Sequence, residues 1–194
     1  MRRITYLLTP LLLMVFLLAC NTNSNTGNKG INTGVEEKPV KASPYEKATA
    51  KIKDTKITIN YSSPRTKGRK IWGGLVPYDE VWRTGADEAT VFETSTKLMV
   101  EGKELLPGKY ALFTIPNEEE WTVIFNNVHN QWGAFNYEES KDALRVKVKP
   151  MTVEESKENM TFYILETGDG EGEIKLAWEK VKVAIAFKAL PKQG

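Results

Sequence analysis

The side chains best suited to chemistry lie in one segment, Gly68–Thr90, which reads GRKIWGGLVPYDEVWRTGADEAT. It contains four carboxylates, and two carboxylates roughly 5–10 Å apart across a cleft are what a glycosidase requires. It also places an arginine among aromatic rings, a combination that suits sugars, peptides or small anions. The candidate ligand-binding residues of the segment are Trp72, Tyr78, Trp82, Arg83, Asp87 and Glu88, and its remaining acids are Asp79 and Glu80.

A second aromatic segment, Gln131–Tyr137 (QWGAFNY), is expected to face the first. Trp132 would then complete a shallow groove in which ring faces, Arg83 and a carboxylate contact the ligand. A structural interpretation is favoured for the same residues. In that interpretation Trp72 and Trp82 anchor the core, the glycine pair after Trp72 permits a tight turn, and Arg83 forms an ion pair with Asp87 or Glu88.

Several other chemistries are excluded by the residues available. His129 is the only histidine and Cys20 the only cysteine, so histidine and cysteine cannot build a zinc site. No Gly-x-Ser-x-Gly elbow and no phosphate-binding loop is present. His129 lies in a polar sequence that predicts a surface loop. We therefore expect neither a metal site nor a cofactor.

The elements that position these residues are predicted to be strands. Apolar and polar residues alternate at Ile57–Tyr61, at Leu144–Val148 and again from Ile174 to Phe187, the pattern of half-buried strands. Glu101-Gly102 predicts a tight hairpin, and Gly168–Gly172 predicts a turn. The predicted fold is all-β, an antiparallel β-sandwich of about eight to ten strands with at most one or two short helices. Candidate helical turns are residues 44–50, Tyr137–Asp142 and Val153–Asn159.

The amino-terminal residues predict export and lipidation. A basic start, Met1-Arg2-Arg3, precedes an apolar run that ends at Ala19, directly before Cys20. This arrangement resembles the cleavage box of bacterial lipoproteins, in which the cysteine thiol carries the lipid. We therefore predict a signal peptide over 1–19, a lipidated Cys20 with a flexible tether over 20–44, and one domain over 45–190. Asn21, rather than an aspartate, favours the outer membrane.

The charge balance argues against nucleic acid as a partner. The chain has 27 Lys and Arg residues against 25 Asp and Glu residues. Loss of Arg2 and Arg3 with the signal peptide leaves 25 of each, so the mature surface carries no basic excess. The predicted attachment to the membrane is through the lipid on Cys20.

Four segments together resemble a known family. They are Ser62–Thr90, Leu106–Asn126, Gln131–Tyr137 and Asp142–Pro150, and they are similar to the bacterial family called domain of unknown function 2911 over roughly residues 50–188. The resemblance implies an exported protein of Bacteroidota-type bacteria, often a lipoprotein. It implies no established activity and no catalytic residue.

The function that these observations favour is that of a non-enzymatic lipoprotein of the bacterial cell envelope. Its β-sandwich would bind a glycan, a peptide or a small anion. One alternative is a carboxylate-dependent hydrolase that acts on envelope polymers. A second alternative is a purely structural or assembly module.

Overall fold

The computed structural model describes residues 42–191. The predicted signal peptide, Cys20 and almost all of the predicted tether lie outside the described residues, as do residues 192–194. Among residues 42–191, no helix has the length and apolar character needed to cross a bilayer.

Ten antiparallel strands form two sheets, which confirms the predicted sandwich. The six-stranded sheet has the order β1-β2-β3-β6-β7-β8, and the four-stranded sheet has the order β5-β4-β10-β9. In chain order the strands are β1 (Tyr45–Ile52), β2 (Thr55–Ser62), β3 (Ala86–Thr94), β4 (Leu98–Val100), β5 (Lys103–Leu105), β6 (Gly108–Ile115), β7 (Trp121–Asn126), β8 (Asp142–Val148), β9 (Pro150–Glu166) and β10 (Glu171–Ala189).

The main core lies between the two sheets and is built from the alternating apolar residues. Phe92 and Phe125 from the six-stranded sheet and Ile174 and Phe187 from the four-stranded sheet are all nearly inaccessible to solvent. The outer face of the six-stranded sheet carries a second, smaller apolar cluster formed by Ala89, Ala111, Phe113 and Ile124. The central strands β6 and β7 are therefore covered on both faces, which explains why their sequences are more apolar than those of half-buried strands.

The predicted hairpin at Glu101-Gly102 is confirmed. Val100 pairs with Lys103, and the two turn residues have φ values of 45° and 77°. Two left-handed residues are what a two-residue hairpin turn of type I′ requires, and glycine adopts this conformation without strain.

Two of the three predicted helical turns are wrong. Residues 44–50 fall largely in β1, which pairs along its whole length with β2, from Tyr45 opposite Ser62 to Ile52 opposite Thr55. Val153–Asn159 lies in β9, where Lys157 pairs with Glu179. Both are edge strands with extensive solvent exposure, so their sequences lack the apolar alternation of a half-buried strand. Within Tyr137–Asp142 there is one 3-10 turn, Glu139–Lys141.

Candidate functional site

Two rings of Gly68–Thr90, those of Trp72 and Trp82, lie in the interior of the domain. Trp72 and Trp82 join Trp121 and Trp178 in a group that we call the tryptophan cluster. Ring centroids lie 4.9 Å apart for Trp72 and Trp121, 5.8 Å for Trp72 and Trp82, and 6.0 Å for the stacked pair Trp82 and Trp178. None of the four rings is more than 8% exposed. Trp72 and Trp82 thus occupy the positions that the structural interpretation expects.

The two indole nitrogens of this segment differ. Nε1 of Trp82 donates a hydrogen bond to the carbonyl of Gly85, with a distance of 3.1 Å. Nε1 of Trp72 is buried and has no hydrogen-bond partner among the described residues. A buried donor without a partner costs free energy, and the ring of Trp72 is held by packing without a side-chain hydrogen bond.

A compact turn connects Trp72 to Tyr78. The amide of Gly73 donates to the carbonyl of Val76 at 2.9 Å, and the amide of Val76 donates to Ile71 at 2.9 Å. Gly73 has φ +65°, and a Cβ there would lie 2.9 Å from Cε2 of Tyr78. The phenol ring of Tyr78 therefore rests against the α-carbon of Gly73, in a place where only glycine fits.

Arg83 does not form the predicted ion pair. Within residues 42–191, no carboxylate oxygen lies within 4.0 Å of its guanidinium. Nε of Arg83 is buried without a hydrogen-bond partner. Burial lowers the pKa of Arg83, and the charge of Asp87 partly offsets this effect. Arg83 is thus a half-buried cation whose burial no close carboxylate compensates.

The second half of the segment forms a bulged loop, Arg83–Thr90. Asn60 of β2 pairs with Val91 of β3, and Ser62 pairs with Ala86. These two pairs are two residues apart along β2 but five residues apart along β3, so β3 carries the extra residues of the bulge. The loop is closed by the amide of Thr90, which donates to the carbonyl of Arg83 at 3.2 Å, and by Oγ1 of Thr90, which donates to the carbonyl of Thr84 at 2.8 Å. Bulges of this kind redirect side chains away from the regular face of a sheet.

This bulge pairs with the second aromatic segment. We call residues Asn127–Glu138 the Trp132 loop. The amide of Ala89 donates to Gln131 at 3.0 Å, and the amide of Gly133 donates to Asp87 at 3.1 Å. Glu88 and Trp132 are therefore directly opposite in a non-hydrogen-bonded pair, the arrangement in which two side chains on one face come closest.

Two aromatic rings of the Trp132 loop are exposed. Trp132 is 58% exposed and Phe135 is 84% exposed. Gly133, between them, has φ +64°, and a Cβ there would lie 2.8 Å from Cε2 of Phe135. One side of the Phe135 ring therefore lies against the backbone while the rest of the ring is open to solvent.

A buried polar group fixes the end of the loop. The hydroxyl of Tyr137 donates to Oδ2 of Asp142 at 2.6 Å, and Asn126 donates to Oδ1 of the same carboxylate at 2.8 Å. Arg145 lies 3.3 Å from that carboxylate and 2.7 Å from Glu139. Burial and the hydrogen bond to Asp142 raise the pKa of Tyr137 well above its usual value. The Trp132 loop is therefore tied to the sheet at both ends.

A cleft of about 240 Å³ lies beside the Trp132 loop, against the edge of β2 and β3. We call it the polar cleft. Its lining includes Tyr45, Asn60, Glu88, His129, Asn130 and Gln131. The imidazole, amide and carboxylate groups provide both hydrogen-bond donors and acceptors. Of these residues the sequence predicts only Glu88 as a site residue. The sequence does not identify His129 and Asn130 as site residues. A polar loop predicts that they are exposed, but it does not predict which part of the fold they lie beside.

A second cleft, of about 270 Å³, lies elsewhere in the domain. We call it the aromatic cleft. Trp72 and Tyr78 line it together with Trp121, and it shares no lining residue with the polar cleft. The seven predicted site residues therefore do not form one groove. Asp87, Glu88 and Trp132 come together at the Trp132 loop, Trp72 and Tyr78 at the aromatic cleft, and Trp82 is inside the core. Arg83 lines neither cleft.

A known protein family matches nearly all of the described residues. Residues 43–187 match the sequence model of the family described as "Protein of unknown function (DUF2911)". The chain belongs to the DUF2911 family. The resemblance drawn from the sequence motifs is thereby confirmed. The searches of curated proteins and of solved structures each found no match.

The four acids of Gly68–Thr90 do not have the environment that the predicted hydrolase needs. Asp79, Glu80, Asp87 and Glu88 are all exposed, and Asp79 accepts a hydrogen bond from Asn117 at 2.8 Å. A catalytic acid that works near neutral pH requires a poorly solvated carboxyl group. None of the four meets this requirement. Within residues 42–191, no three His, Cys, Asp or Glu side chains are placed to hold a metal ion.

Proposed function

We propose that this DUF2911 protein is a lipid-anchored protein of the bacterial cell envelope that binds a glycan at the Trp132 loop. The observation that carries the proposal is the exposure of Trp132 and Phe135 on a loop that hydrogen bonds tie to the sheet. Two large exposed rings are unfavourable in water, and a sugar ring that stacks on them removes apolar surface from water.

The polar groups beside the rings support a glycan over a purely apolar ligand. Glu88 is opposite Trp132, and His129 and Asn130 line the adjoining polar cleft. A sugar presents hydroxyl groups around its edge and C–H groups on its faces. Aromatic faces with convergent carboxylate, amide and imidazole groups match both.

Backbone strain near the rings also favours a binding role. Thr84 and Asp87 both lie in the left-handed region, with φ values of 52° and 57°. For a β-branched residue such as Thr84 this conformation is unusual. Strained residues persist where the surrounding structure holds them, and they concentrate at binding sites. Here they shape the bulge that presents Glu88.

The test is a glycan array probed with the full chain in a non-ionic detergent that contains no sugar. The best glycan is then titrated calorimetrically against variants. We expect Trp132→Ala and Phe135→Ala each to weaken binding by at least about tenfold, as for central aromatic contacts in other binding sites. Absence of binding to every glycan, or an affinity in both variants equal to that of the unchanged chain, would overturn the proposal.

A matched pair of glycine variants separates ring position from overall stability. Gly133→Ala forces Phe135 from its place. Gly68 also has a positive φ, +68°, but a Cβ added there meets no heavy atom within 4 Å, so Gly68→Ala is the control. We expect both variants to carry a similar backbone strain. Only Gly133→Ala should weaken glycan binding. Equal affinities of the two variants would exclude Phe135 from the site.

The lipid anchor has its own test. Cys20→Ser removes the thiol that would carry the lipid. We expect this variant to leave the membrane fraction while the unchanged chain stays in it. Membrane association of the Cys20→Ser variant would contradict the predicted lipidation and would leave the glycan proposal intact.

A further inference from the structure

A cluster of basic residues lies outside the proposed glycan site. Four of the six residues in Arg65–Lys70 are arginine or lysine, and the segment contains no acid. We call this segment the basic turn. Lys67, Arg69 and Lys70 are exposed, and within residues 42–191 none of their ammonium or guanidinium nitrogens lies within 4.0 Å of a carboxylate oxygen. The basic turn therefore carries a positive charge that no close ion pair neutralises.

Hydrogen bonds fix the backbone of the basic turn. Lys67 and Gly68 have φ values of 48° and 68°, and the amide of Arg69 donates to the carbonyl of Thr66 at 3.0 Å. Two left-handed residues enclosed by such a bond make a type I′ turn. Nε of Arg69 donates to the same carbonyl at 3.0 Å. The cationic side chains are therefore carried on a hydrogen-bonded turn.

One carboxylate of β9 contacts the basic turn. Glu158 accepts hydrogen bonds from the hydroxyl of Thr66 and from the amide of Lys67, the latter at 3.1 Å. These two bonds, together with the charges of Arg65 and Arg69, lower the pKa of Glu158. The carboxylate offsets part of the local charge. Four cations against this one carboxylate still leave an excess of three positive charges.

An exposed leucine lies beside the basic turn. The next six residues, Ile71–Val76, form a compact turn that we call the leucine turn. The amide of Leu75 donates to the carbonyl of Lys70 at 3.0 Å, and Leu75 is 46% exposed. A Cβ on Gly74 would lie 2.6 Å from that carbonyl oxygen, so this close approach requires glycine. An apolar side chain and a cation are thereby held next to each other at the surface.

The chain enters the domain close to the basic turn. The carbonyl of Pro44, one residue before β1, accepts a hydrogen bond from the amide of Ser63 at 2.8 Å. Ser63 is two residues before Arg65, so at most about 7 Å of backbone separates it from the basic turn. Cys20, the proposed site of the lipid, precedes Pro44 in the chain. The basic turn is thus on the side of the domain that the lipid-bearing segment enters.

We propose that the basic turn and the leucine turn dock on the bilayer that anchors Cys20, where they bind the phosphate groups of anionic lipids. This inference rests on the proposed lipid anchor. The three exposed cations contact the phosphates, and Leu75 enters the boundary between headgroups and acyl chains. Each cation near an anionic membrane surface contributes about a fivefold gain in binding. Docking would hold the domain against the membrane in one orientation.

A fluorophore on the leucine turn tests the docking. Cys20 is the only cysteine and would be blocked by its lipid, so Leu75→Cys supplies one free thiol for an environment-sensitive label. The full chain is purified in detergent, labelled and reconstituted into vesicles. One set of vesicles is phosphatidylcholine alone, and the other is three parts phosphatidylcholine to one part phosphatidylglycerol.

We expect the emission of the label at position 75 to shift to the blue only in the vesicles that contain phosphatidylglycerol. The shift should disappear at about 1 M salt, where the Debye length is about 3 Å. Leu106→Cys is the control, since Leu106 is a second exposed leucine. It lies near Gly108, which pairs through Thr94 with the start of β2, whereas the basic turn follows the end of β2. Its label should show no shift.

Charge variants assign the docking to the basic turn. Lys67→Gln, Arg69→Gln and Lys70→Gln combined should abolish the shift at position 75. A control variant, which should keep the shift, removes three exposed lysines of β1 and β2: Lys47→Gln, Lys51→Gln and Lys56→Gln. Equal shifts in the two kinds of vesicle, equal shifts at positions 75 and 106, or equal shifts in the two triple variants would overturn the proposal. So would a shift caused by a soluble acidic polysaccharide and not by phosphatidylglycerol.

The same labelling separates docking from lipidation. The unchanged chain should take up no fluorophore, because its one thiol carries the lipid. Uptake would show a free thiol at Cys20 and would contradict the lipid anchor. Docking is then measured by adding the same vesicles to the Cys20→Ser, Leu75→Cys variant. Absence of a blue shift there would overturn the docking proposal as well.

Discussion

Four tryptophans of this domain lie together in the interior, and the fifth lies on an exposed loop. Trp72, Trp82, Trp121 and Trp178 are at most 8% exposed, whereas Trp132 is 58% exposed. The difference comes from the backbone that carries each ring. The first four are on strands or turns and meet in the core, whereas Trp132 pairs with Glu88 in the bulge of β3. One residue type therefore stabilises the fold in one region and is available to a ligand in the other.

The largest expected effect is a difference in the free energy of unfolding between a variant of a buried tryptophan and a variant of the exposed one. Trp178→Ala should lower the free energy of unfolding by about 3–5 kcal/mol, because it leaves a cavity among closely packed rings. Trp132→Ala should change it by less than about 1 kcal/mol, as for exposed positions. Urea unfolding followed by far-ultraviolet circular dichroism measures both. A large loss of stability in Trp132→Ala would make Trp132 a structural residue and would remove the contrast.

The next test concerns how firmly the Trp132 loop is held. Tyr137→Phe removes the hydroxyl that donates to Asp142 at 2.6 Å. Hydrogen bonds to charged groups contribute about 1.5–3 kcal/mol, and we expect a loss at the lower end because Asn126 and Arg145 still contact the carboxylate. Tyr45→Phe, at an exposed position, is the control and should have no effect on stability.

The same hydroxyl predicts a dependence on pH. The folded-state pKa of Tyr137 is raised, so its contribution is fully present below about pH 10, the pKa of tyrosine in an unfolded chain. Above that pH the unfolded chain loses the proton first, and stability falls until the folded pKa is reached. We expect the free energy of unfolding to decline less steeply above pH 10 in Tyr137→Phe. Parallel curves for the two proteins would show that Tyr137 is not held as described.

A smaller effect separates two members of the tryptophan cluster. Trp82→Phe and Trp72→Phe each replace a buried indole by a smaller ring. Only Trp82→Phe also removes the donor of a hydrogen bond, the one to the carbonyl of Gly85. We expect Trp82→Phe to cost about 1 kcal/mol more than Trp72→Phe in the free energy of unfolding. If Trp72→Phe costs as much, then Nε1 of Trp72 has a partner in solution.

The smallest effect on the free energy of unfolding is expected at Arg83, which directly follows Trp82 in sequence. Arg83→Met keeps most of the stem and removes a half-buried charge with no close carboxylate. It should change the free energy of unfolding by less than about 1 kcal/mol, in either direction. Arg83→Ala, which also loses the packing of the stem, should be the less stable variant. A cost above about 2 kcal/mol for Arg83→Met would indicate a buried partner for the guanidinium.

The fold was predictable from the sequence where strands are half buried. The hairpin of β4 and β5 was predictable because Glu101-Gly102 favours left-handed residues. β1 was missed because it is an edge strand whose inward residues include the small side chains Ala48 and Ala50. Long stretches of β9 are exposed on both faces, so no alternation marks them.

The candidate site was predictable only in part. The sequence singled out Glu88 and Trp132, but their pairing depends on a bulge in β3 and on the backbone register of two distant loops. No local pattern encodes that register. The expected ion pair of Arg83 failed for a related reason. Thr90 bonds back to the carbonyl of Arg83, which closes the loop through the backbone instead of through side-chain charges.

The fluorescence of the tryptophan cluster provides a signal for the folding of the domain. Its rings come from positions as far apart as Trp72 and Trp178, and they meet only after both sheets have come together. Contacts between such distant positions form slowly, because a long chain segment must be ordered first. Indoles this close exchange excitation energy, so their fluorescence and near-ultraviolet dichroism should change at the last step of folding. The exposed ring of Trp132 would contribute little to that change.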